Sequence, residues 1–378
     1  MKEVLSNNVL IICSSYFLVT FLFSLMVNAL FLRFFRTLGI RNNQDDGTVI
    51  RWGTFSKPAV GGITFYILFL LSVASYSILF EPSQELYQSG FVGLLLSCAS
   101  GFIIGLADDA YDTKPFLKFG VQFLCGLILI FSGVYIKILP NEYANYILTM
   151  FWVVGIMNSI NMLDNMDGIT SIVTIGIILN TLYKIITHGD VTNMHLLVLI
   201  GVLSSVLAFL RFNWNPSKMY MGDTGSQFLG IFLAALGIIY FWNDPYAAVP
   251  PAASKLFIGT IMTFILPILD TTVVVVNRLL KGQSPFIGGK DHTTHSLAYL
   301  GLSDKQVALT FLALAGGSFA INIAISDYLI SWTHSLTAIF LSYFLVLLMF
   351  FFYTTRSKKA KSRQRLYKIK NATSKELV

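Results

Sequence analysis

Apolar residues fall into long, nearly unbroken runs near 9–32, 58–79, 91–107, 119–138, 146–160, 169–187, 194–210, 226–242, 256–276, 307–325 and 329–353. A helix needs about 20 such residues to cross the hydrocarbon core of a bilayer. The pattern therefore predicts an all-α polytopic membrane protein with about 11 transmembrane helices. Residues 1–355 read as one integral membrane domain and 356–378 as a basic tail. The first run is expected to be a span and not a cleavable leader, since Lys2 and Glu3 cancel and the run is too long for a signal core. An odd number of spans places the two termini on opposite sides.

The cations orient this bundle. Of the 26 basic residues, 22 lie in one alternate set of connections: 33–57, 108–118, 161–168, 211–225, 277–305 and the tail. The other set holds Lys2, Lys137, Lys184 and Lys255. By the positive-inside rule the rich set is cytoplasmic, with the N-terminus outside and the C-terminus inside. A hydrophobic share of 55%, a charged share of 12% and a mean hydropathy of +0.70 fit the same class. The partner implied by the net charge of +7 is the anionic headgroup layer of a lipid bilayer, against which the tail would rest, and not nucleic acid. Cys13, Cys98 and Cys125 stand singly in apolar segments, as packing residues do.

Polar residues then become conspicuous by their place. Asn158, Asn161, Asp164, Asn165 and Asp167 crowd the stretch ending at Gly168, between two apolar runs. A bare carboxylate facing lipid costs several kcal/mol, so these residues line a polar cavity or perform chemistry. Four further connections on the cytoplasmic side are equally dense. The first runs through Asp46, Arg51 and Lys57 to Gly61-Gly62, where helix-start amides suit an anion and a glycine pair equally suits helix packing. The second carries Asp108-Asp109 and Lys118; adjacent carboxylates repel unless a cation lies between them, and hard oxygens of this kind suit Mg²⁺. The third is Asn213 through Gly222-Asp223-Thr224-Gly225, where Asp223 either reaches a metal or caps a helix. The fourth contains Arg278, Lys290, His292 and His295; imidazole, guanidinium and ammonium together suit phosphate, while zinc lacks a third ligand. Asp270 is an intramembrane charge just after Pro267, on a helix expected to kink there. Its structural and catalytic readings both stand open.

These residues resemble the polyprenyl-phosphate N-acetylhexosamine-1-phosphate transferases, a family that includes the enzymes initiating lipopolysaccharide O-antigen and teichoic acid synthesis and the phospho-N-acetylmuramoyl-pentapeptide transferase. The resemblance runs from about Asp46 to Gly301 and rests on four ordered motifs. These are Asp108-Asp109 with Lys118; Asn161-x-x-Asp164-x-x-Asp167-Gly168; Asn213 with Met221-Gly-Asp223-x-Gly-Ser226; and the histidine loop. The resemblance implies transfer of a sugar-1-phosphate, N-acetylglucosamine-1-phosphate or a related one, from a UDP-sugar to undecaprenyl phosphate, releasing UMP. It also implies a Mg²⁺ requirement that Mn²⁺ could meet, a bacterial inner membrane location and compatibility with a homodimer. Carried over by position, Asp223 resembles the metal ligand, and Asp108 and Asp109 the carboxylates beside the lipid phosphate and metal. Asn161, Asp164 and Asp167 match the nucleotide and catalytic cleft, and Asn213 a residue near the uridine. His292 and His295 fall in the loop on the pyrophosphate and sugar side.

Three departures argue against the muramoyl-pentapeptide enzyme. Asn165 stands where the family has glycine, Thr294 where the histidine motif has its middle histidine, and the first loop lacks the expected histidine. The expected chemistry is direct attack of the lipid phosphate on the donor, with Mg²⁺, Lys118, Arg278 and the histidines offsetting charge. A covalent aspartyl intermediate is the two-step alternative. The reading from another class is a membrane transporter or Mg²⁺ channel, which would place polar groups at mid-membrane on broken, repeated helices. Only Asp270 with Pro267 fits that, whereas the polar clusters all fall on one side.

Overall fold

Each predicted apolar run coincides with a helix or a closely linked pair. The computed structural model describes residues 2–37, 57–79, 88–188, 193–247, 251–285, 289–329 and 331–357. The helices are α1 (Lys2–Thr37), α2 (Gly61–Leu79), α3 (Ser89–Tyr111), α4 (Pro115–Phe131), α5 (Glu142–Leu163), α6 (Ile169–Thr187) and α7 (Met194–Asn213). Then come α8 (Gly222–Gly237), α9 (Ala253–Thr263), α10 (Ile265–Leu279), α11 (Thr293–Leu300), α12 (Asp304–Ile323) and α13 (His334–Arg356). Among the described residues nine helices are long and apolar enough to cross a membrane, or ten if the sharply bent α9–α10 pair counts as one span. The remaining predicted run is α4, an apolar helix of 17 residues. The chain is thus all-α and polytopic. Asp46, Arg51 and the basic tail beyond Ser357 lie outside the described residues.

Burial ranks the helices. The span containing α8 is 94% buried within the protein, whereas that of α13 is 6% buried and that of α1 22%. A helix apolar on every side belongs inside a bundle, and α8 reads that way, with Phe228, Leu229, Ile231, Phe232 and Leu233 fully covered. α2, α3 and α5 pack directly around it, and α7 lies behind α2. In a membrane, small residues let helix backbones approach closely. At Gly62 a side-chain carbon would stand 2.1 Å from the Gly225 amide nitrogen, so α2 and α8 touch backbone to backbone. The α2 start is fixed by hydrogen bonds from the Gly61 and Gly62 amides to the carbonyls of Tyr220 (3.1 Å) and Met221 (2.9 Å). Of the two readings of that glycine pair, the structure takes helix packing: these amides face carbonyls, not an anion.

The kink expected near Pro267 lies at Phe264, where α9 and α10 meet at 80°. Proline has no amide hydrogen for the carbonyl four residues earlier and its ring collides with it; for Pro267 that carbonyl belongs to Thr263, the last residue of α9. At the opposite end of the bundle from the polar loops, one π-turn (Ile238–Trp242) extends α8. There Lys184 pairs with Asp244 at 2.9 Å and donates to the Tyr240 carbonyl at 3.0 Å, tying α6 to the end of that extension.

Replacing Gly62 by alanine is expected to cost about 1–3 kcal/mol or more through overpacking, lowering the thermal unfolding midpoint in detergent. Gly120→Ala, where no atom lies within 4 Å of the added carbon, is the matched control and should leave the midpoint level or slightly raised.

Candidate active site

Three of the sequence motifs meet where α3 ends and α8 begins. The last full turn of α3 carries Asp108 and Asp109, and a left-handed residue, Asp112 (φ 50°), turns the chain into α4. The two neighbouring carboxylates then do different things. Asp109 faces the first turn of α8: it accepts from the amides of Asp223 (2.9 Å) and Thr224 (2.9 Å) and from the Thr224 hydroxyl (2.6 Å). A helix start leaves amides without intrahelical partners, and here a carboxylate from another helix meets them. Gly222, at φ +74°, makes room, since a side-chain carbon there would lie 2.4 Å from Asp109 Oδ2.

Asp108 faces the other way. Its Oδ1 accepts from the amide (3.0 Å) and hydroxyl (2.5 Å) of Thr113, and its Oδ2 lies 2.6 Å from Lys118 Nζ. The same ammonium is 2.7 Å from Asp223 Oδ2. Asp223 Oδ1 accepts from the Asn161 amide at 2.9 Å, which also donates to the Ser226 hydroxyl at 2.8 Å. Asp108, Lys118, Asn161 and Asp223 therefore form one cluster, supplied by α3, α4, α5 and α8. Asp223 is in the first turn of α8, but its own side chain does not cap that helix; Asp109 does. Deeper in the bundle, Gln122 on α4 exchanges hydrogen bonds with Asn158 (2.7 and 3.3 Å) and donates to Gln227 (3.1 Å). Gln122 lies one helical turn beyond Lys118 within an apolar run, the signal by which it could have been found.

The turn between α5 and α6 is tied to the loop before α8. Asp167 accepts from the Ser217 amide (2.9 Å), the Ser217 hydroxyl (2.7 Å) and the Asn215 side chain (3.2 Å). Asn213 is buried; it accepts from the Gly168 amide (2.9 Å) and donates to the Met219 carbonyl (2.9 Å). Both of its polar ends are engaged within the protein. Asp164 is half-buried at the end of α5. Lys57, from the first polar connection, joins here: it donates to the Ser217 hydroxyl at 2.8 Å and lies over the Tyr220 ring at 5.1 Å.

The histidine loop is largely buried. Arg278 forms a fork with Asp291 (2.9 and 2.7 Å) and donates to the Pro285 carbonyl at 2.8 Å, so its guanidinium holds the loop together. Burial alone would raise the Asp291 carboxyl, but the Arg278 guanidinium overrides it and holds the group below the usual carboxylate range. Lys290 is half-buried beside it. His292 and His295 stand with ring centroids 5.5 Å apart, and Asp270 lies against His292. Burial, then the neighbouring His292, pulls the His295 pKa down to about 3, so its imidazole is neutral at neutral pH. A neutral ring suits hydrogen bonding better than the charge pairing expected of it with phosphate. Thr294 donates to Asn165 Oδ1 at 2.6 Å: the two motif positions at which the chain departs from the pattern it resembles touch each other.

Among the described residues no three His, Cys, Asp or Glu side chains converge as a ready-made metal centre. Two carboxylates, Asp108 and Asp223, already share one cation in the form of Lys118. That donor set is of the kind that holds Mg²⁺, which takes one or two carboxylates and completes its shell with substrate phosphate and water. It does not suit zinc.

Residues 91–241, containing three of these motifs, match the family model of Glycosyl transferase family 4. The chain is 27% identical over 303 residues, 77% of its length and 78% of the relative's, to a Bacillus subtilis protein named probable undecaprenyl-phosphate N-acetylglucosaminyl 1-phosphate transferase. It is 29% identical over 286 residues (68% of the chain, 71% of the relative) to a decaprenyl-phosphate N-acetylglucosaminephosphotransferase of Mycobacterium leprae. A phospho-N-acetylmuramoyl-pentapeptide-transferase of Streptococcus agalactiae is 31% identical over 229 residues, 55% of this chain and 64% of that one.

Two outcomes follow from the geometry. Thr294→Val and Asn165→Ala should each lower stability, and the pair should be non-additive by about 0.5–3 kcal/mol in a double-mutant cycle of unfolding. Because the His295 pKa is depressed on folding, the unfolded chain binds more protons once pH falls below its ordinary value of about 6.5. Its stabilising effect is full above that pH and is lost towards pH about 3. His295→Gln, which does not titrate, should flatten the decline of the unfolding midpoint across that window by about one proton.

Proposed function

We propose, from the premise that this chain belongs through residues 91–241 to Glycosyl transferase family 4, that it transfers a sugar-1-phosphate from a UDP-sugar to a polyprenyl phosphate within the membrane. The donor sugar would be N-acetylglucosamine or a related N-acetylhexosamine, the acceptor undecaprenyl phosphate, and the product the first lipid-linked unit of a cell-envelope polysaccharide. Coverage by relatives does not choose the sugar, since a relative named for N-acetylglucosamine covers 77% of the chain and one named for the muramoyl-pentapeptide covers 78%. The departures at Asn165 and Thr294 are what favour N-acetylglucosamine over the muramoyl-pentapeptide. The observation that carries the reading is the Asp108–Lys118–Asp223 cluster, where an ammonium and two carboxylates gather from three apolar helices, α3, α4 and α8.

The reaction brings two anions together. The acceptor monoester, with a second pKa of about 6, is already mostly dianionic at neutral pH, so charge compensation matters more than deprotonation. One acceptor oxygen attacks the phosphorus that bears the sugar, and the bond from that phosphorus to the bridging oxygen breaks, releasing UMP. Lys118 supplies the positive charge nearest the reacting anions, with Asp108 and Asp223 setting its position. Mg²⁺, held by Asp223 and Asp108, would supply further neutralisation of phosphate charge. Asn161 fixes the orientation of Asp223. Asp109 keeps α8, and with it Asp223, in register; with both oxygens on the α8 amides it is poorly placed to be a covalent nucleophile, which favours the direct route. Asp167 and Asn213 shape the wall formed by the α5–α6 turn and the loop before α8, and Lys57 adds positive charge there. The loop of Lys290, His292 and His295, braced by Arg278, would face the sugar and pyrophosphate. On this reading the cluster faces the cytoplasm of a bacterial inner membrane, where UDP-sugars are found. Asp270, the residue best suited to a transporter, is engaged with the histidine loop.

Purified protein should release UMP only when undecaprenyl phosphate and UDP-N-acetylglucosamine are both present, and a panel of UDP-sugars would identify the donor. No UMP from any UDP-sugar would refute the reading. Asp223→Asn should lower turnover by about 10²-fold or more at any Mg²⁺ concentration; near-normal turnover would remove Asp223 from the mechanism. A donor chiral at the transferred phosphorus should invert, and retention would exclude the direct route.

A further inference from the structure

Asp270 lies midway along α10, 1% exposed. Both of its oxygens are turned to two consecutive residues of another element. Oδ1 accepts from the Thr293 amide (2.8 Å) and the Thr293 hydroxyl (2.6 Å), at the first residue of α11. Oδ2 lies 2.9 Å from His292 Nδ1. The first pair of bonds caps a helix, a complete structural role by itself. The second goes further, because it fixes one side of an imidazole that is itself only 5% exposed.

The chemistry of the partners points to where the hydrogen lies. Two donors on Oδ1 favour the ionised carboxylate, which is acceptor-only, and the hydrogen in the third bond then belongs to His292 Nδ1. In the neutral ring the lone pair is then on Nε2, and Nε2 is the only ring position open to a substrate atom. We propose that Asp270 is the positioning residue for His292: it holds the ring as the Nδ1–H tautomer and confines its exchange with the substrate to Nε2. A proton gained at Nε2 gives an imidazolium whose Nδ1–H still points at Asp270; the proton stays on the ring, and the carboxylate balances its charge. The same carboxylate anchors α11, so ring orientation and helix start are set by one group. The proposal rests on the reading of His292 as a member of the transferase cleft.

The test uses full-length protein in detergent with ¹⁵N-labelled histidine, His292 being assigned from the resonance missing in His292→Gln. With the pH raised until the ring is neutral, wild-type His292 should show protonated Nδ1 and unprotonated Nε2. In Asp270→Asn the new amide can donate to Nδ1, so the ring should change to the Nε2–H form. That variant should lose about 10²–10⁴-fold in kcat with KM changed by less than about threefold. In the His292→Gln background Asp270→Asn should cause no further loss in kcat. A wild-type His292 in the Nε2–H form would overturn the proposal, as would an equal loss from Asp270→Asn with and without His292. The wild-type spectrum decides the matter even if Asp270→Asn fails to fold. The tautomer is read without turnover, so a protein that lacked transferase activity would count against the proposed function alone.

Discussion

The carboxylate of Asp109 against the first turn of α8 is the contact on which the rest of the site depends. Three donors converge on it, two of them amides that the helix itself cannot satisfy. In an interior with little water, an amide left without a partner would cost about 1–3 kcal/mol, so α8 cannot slide or turn without loss. Asp223 belongs to that same turn and inherits the constraint. Its carboxylate is thereby presented to Lys118 and Asn161. The direct backbone contact of α2 with α8 at Gly62 closes the remaining side.

Much of this was legible from the sequence because the bilayer simplifies the problem. Spans must satisfy their own backbone, so apolar runs translate almost directly into helices, and polar clusters between them stand out. The convergence of Asp108, Lys118, Asn161 and Asp223 follows from motifs that a one-dimensional reading can see. The division of labour between Asp108 and Asp109 does not. Adjacent residues on a helix point about 100° apart, and which of them meets α8 depends on how the two helices cross. The charge of Arg278 suits phosphate when taken from sequence alone; its fork with Asp291 depends on loop geometry that no spacing encodes. Lys57 stands out in sequence only as part of a polar connection, and its place beside Ser217 and Tyr220 arises from the parallel pairing of Ala59 with Tyr220.

The contact of Asn165 with Thr294 shows a further limit. Each residue, taken singly, is a departure from a motif. Together they make a hydrogen bond of 2.6 Å between the α5–α6 turn and the start of α11. Two differences that look independent along the chain are one interaction in space.

The shortness of α4 has a consequence for where the chemistry takes place. Seventeen residues rise about 25 Å at 1.5 Å each, less than a hydrocarbon core of about 30 Å. Lys118 is the fourth residue of that helix, beside the exposed rings of Phe116 and Phe119. Its ammonium therefore lies within one turn of apolar, outward-facing rings, where charge and lipid-compatible surface meet. On the proposed function, a phosphate carried on a long isoprenoid would meet that charge without lifting its chain out of the oil, and the thickness of the surrounding bilayer would become a part of the reaction geometry.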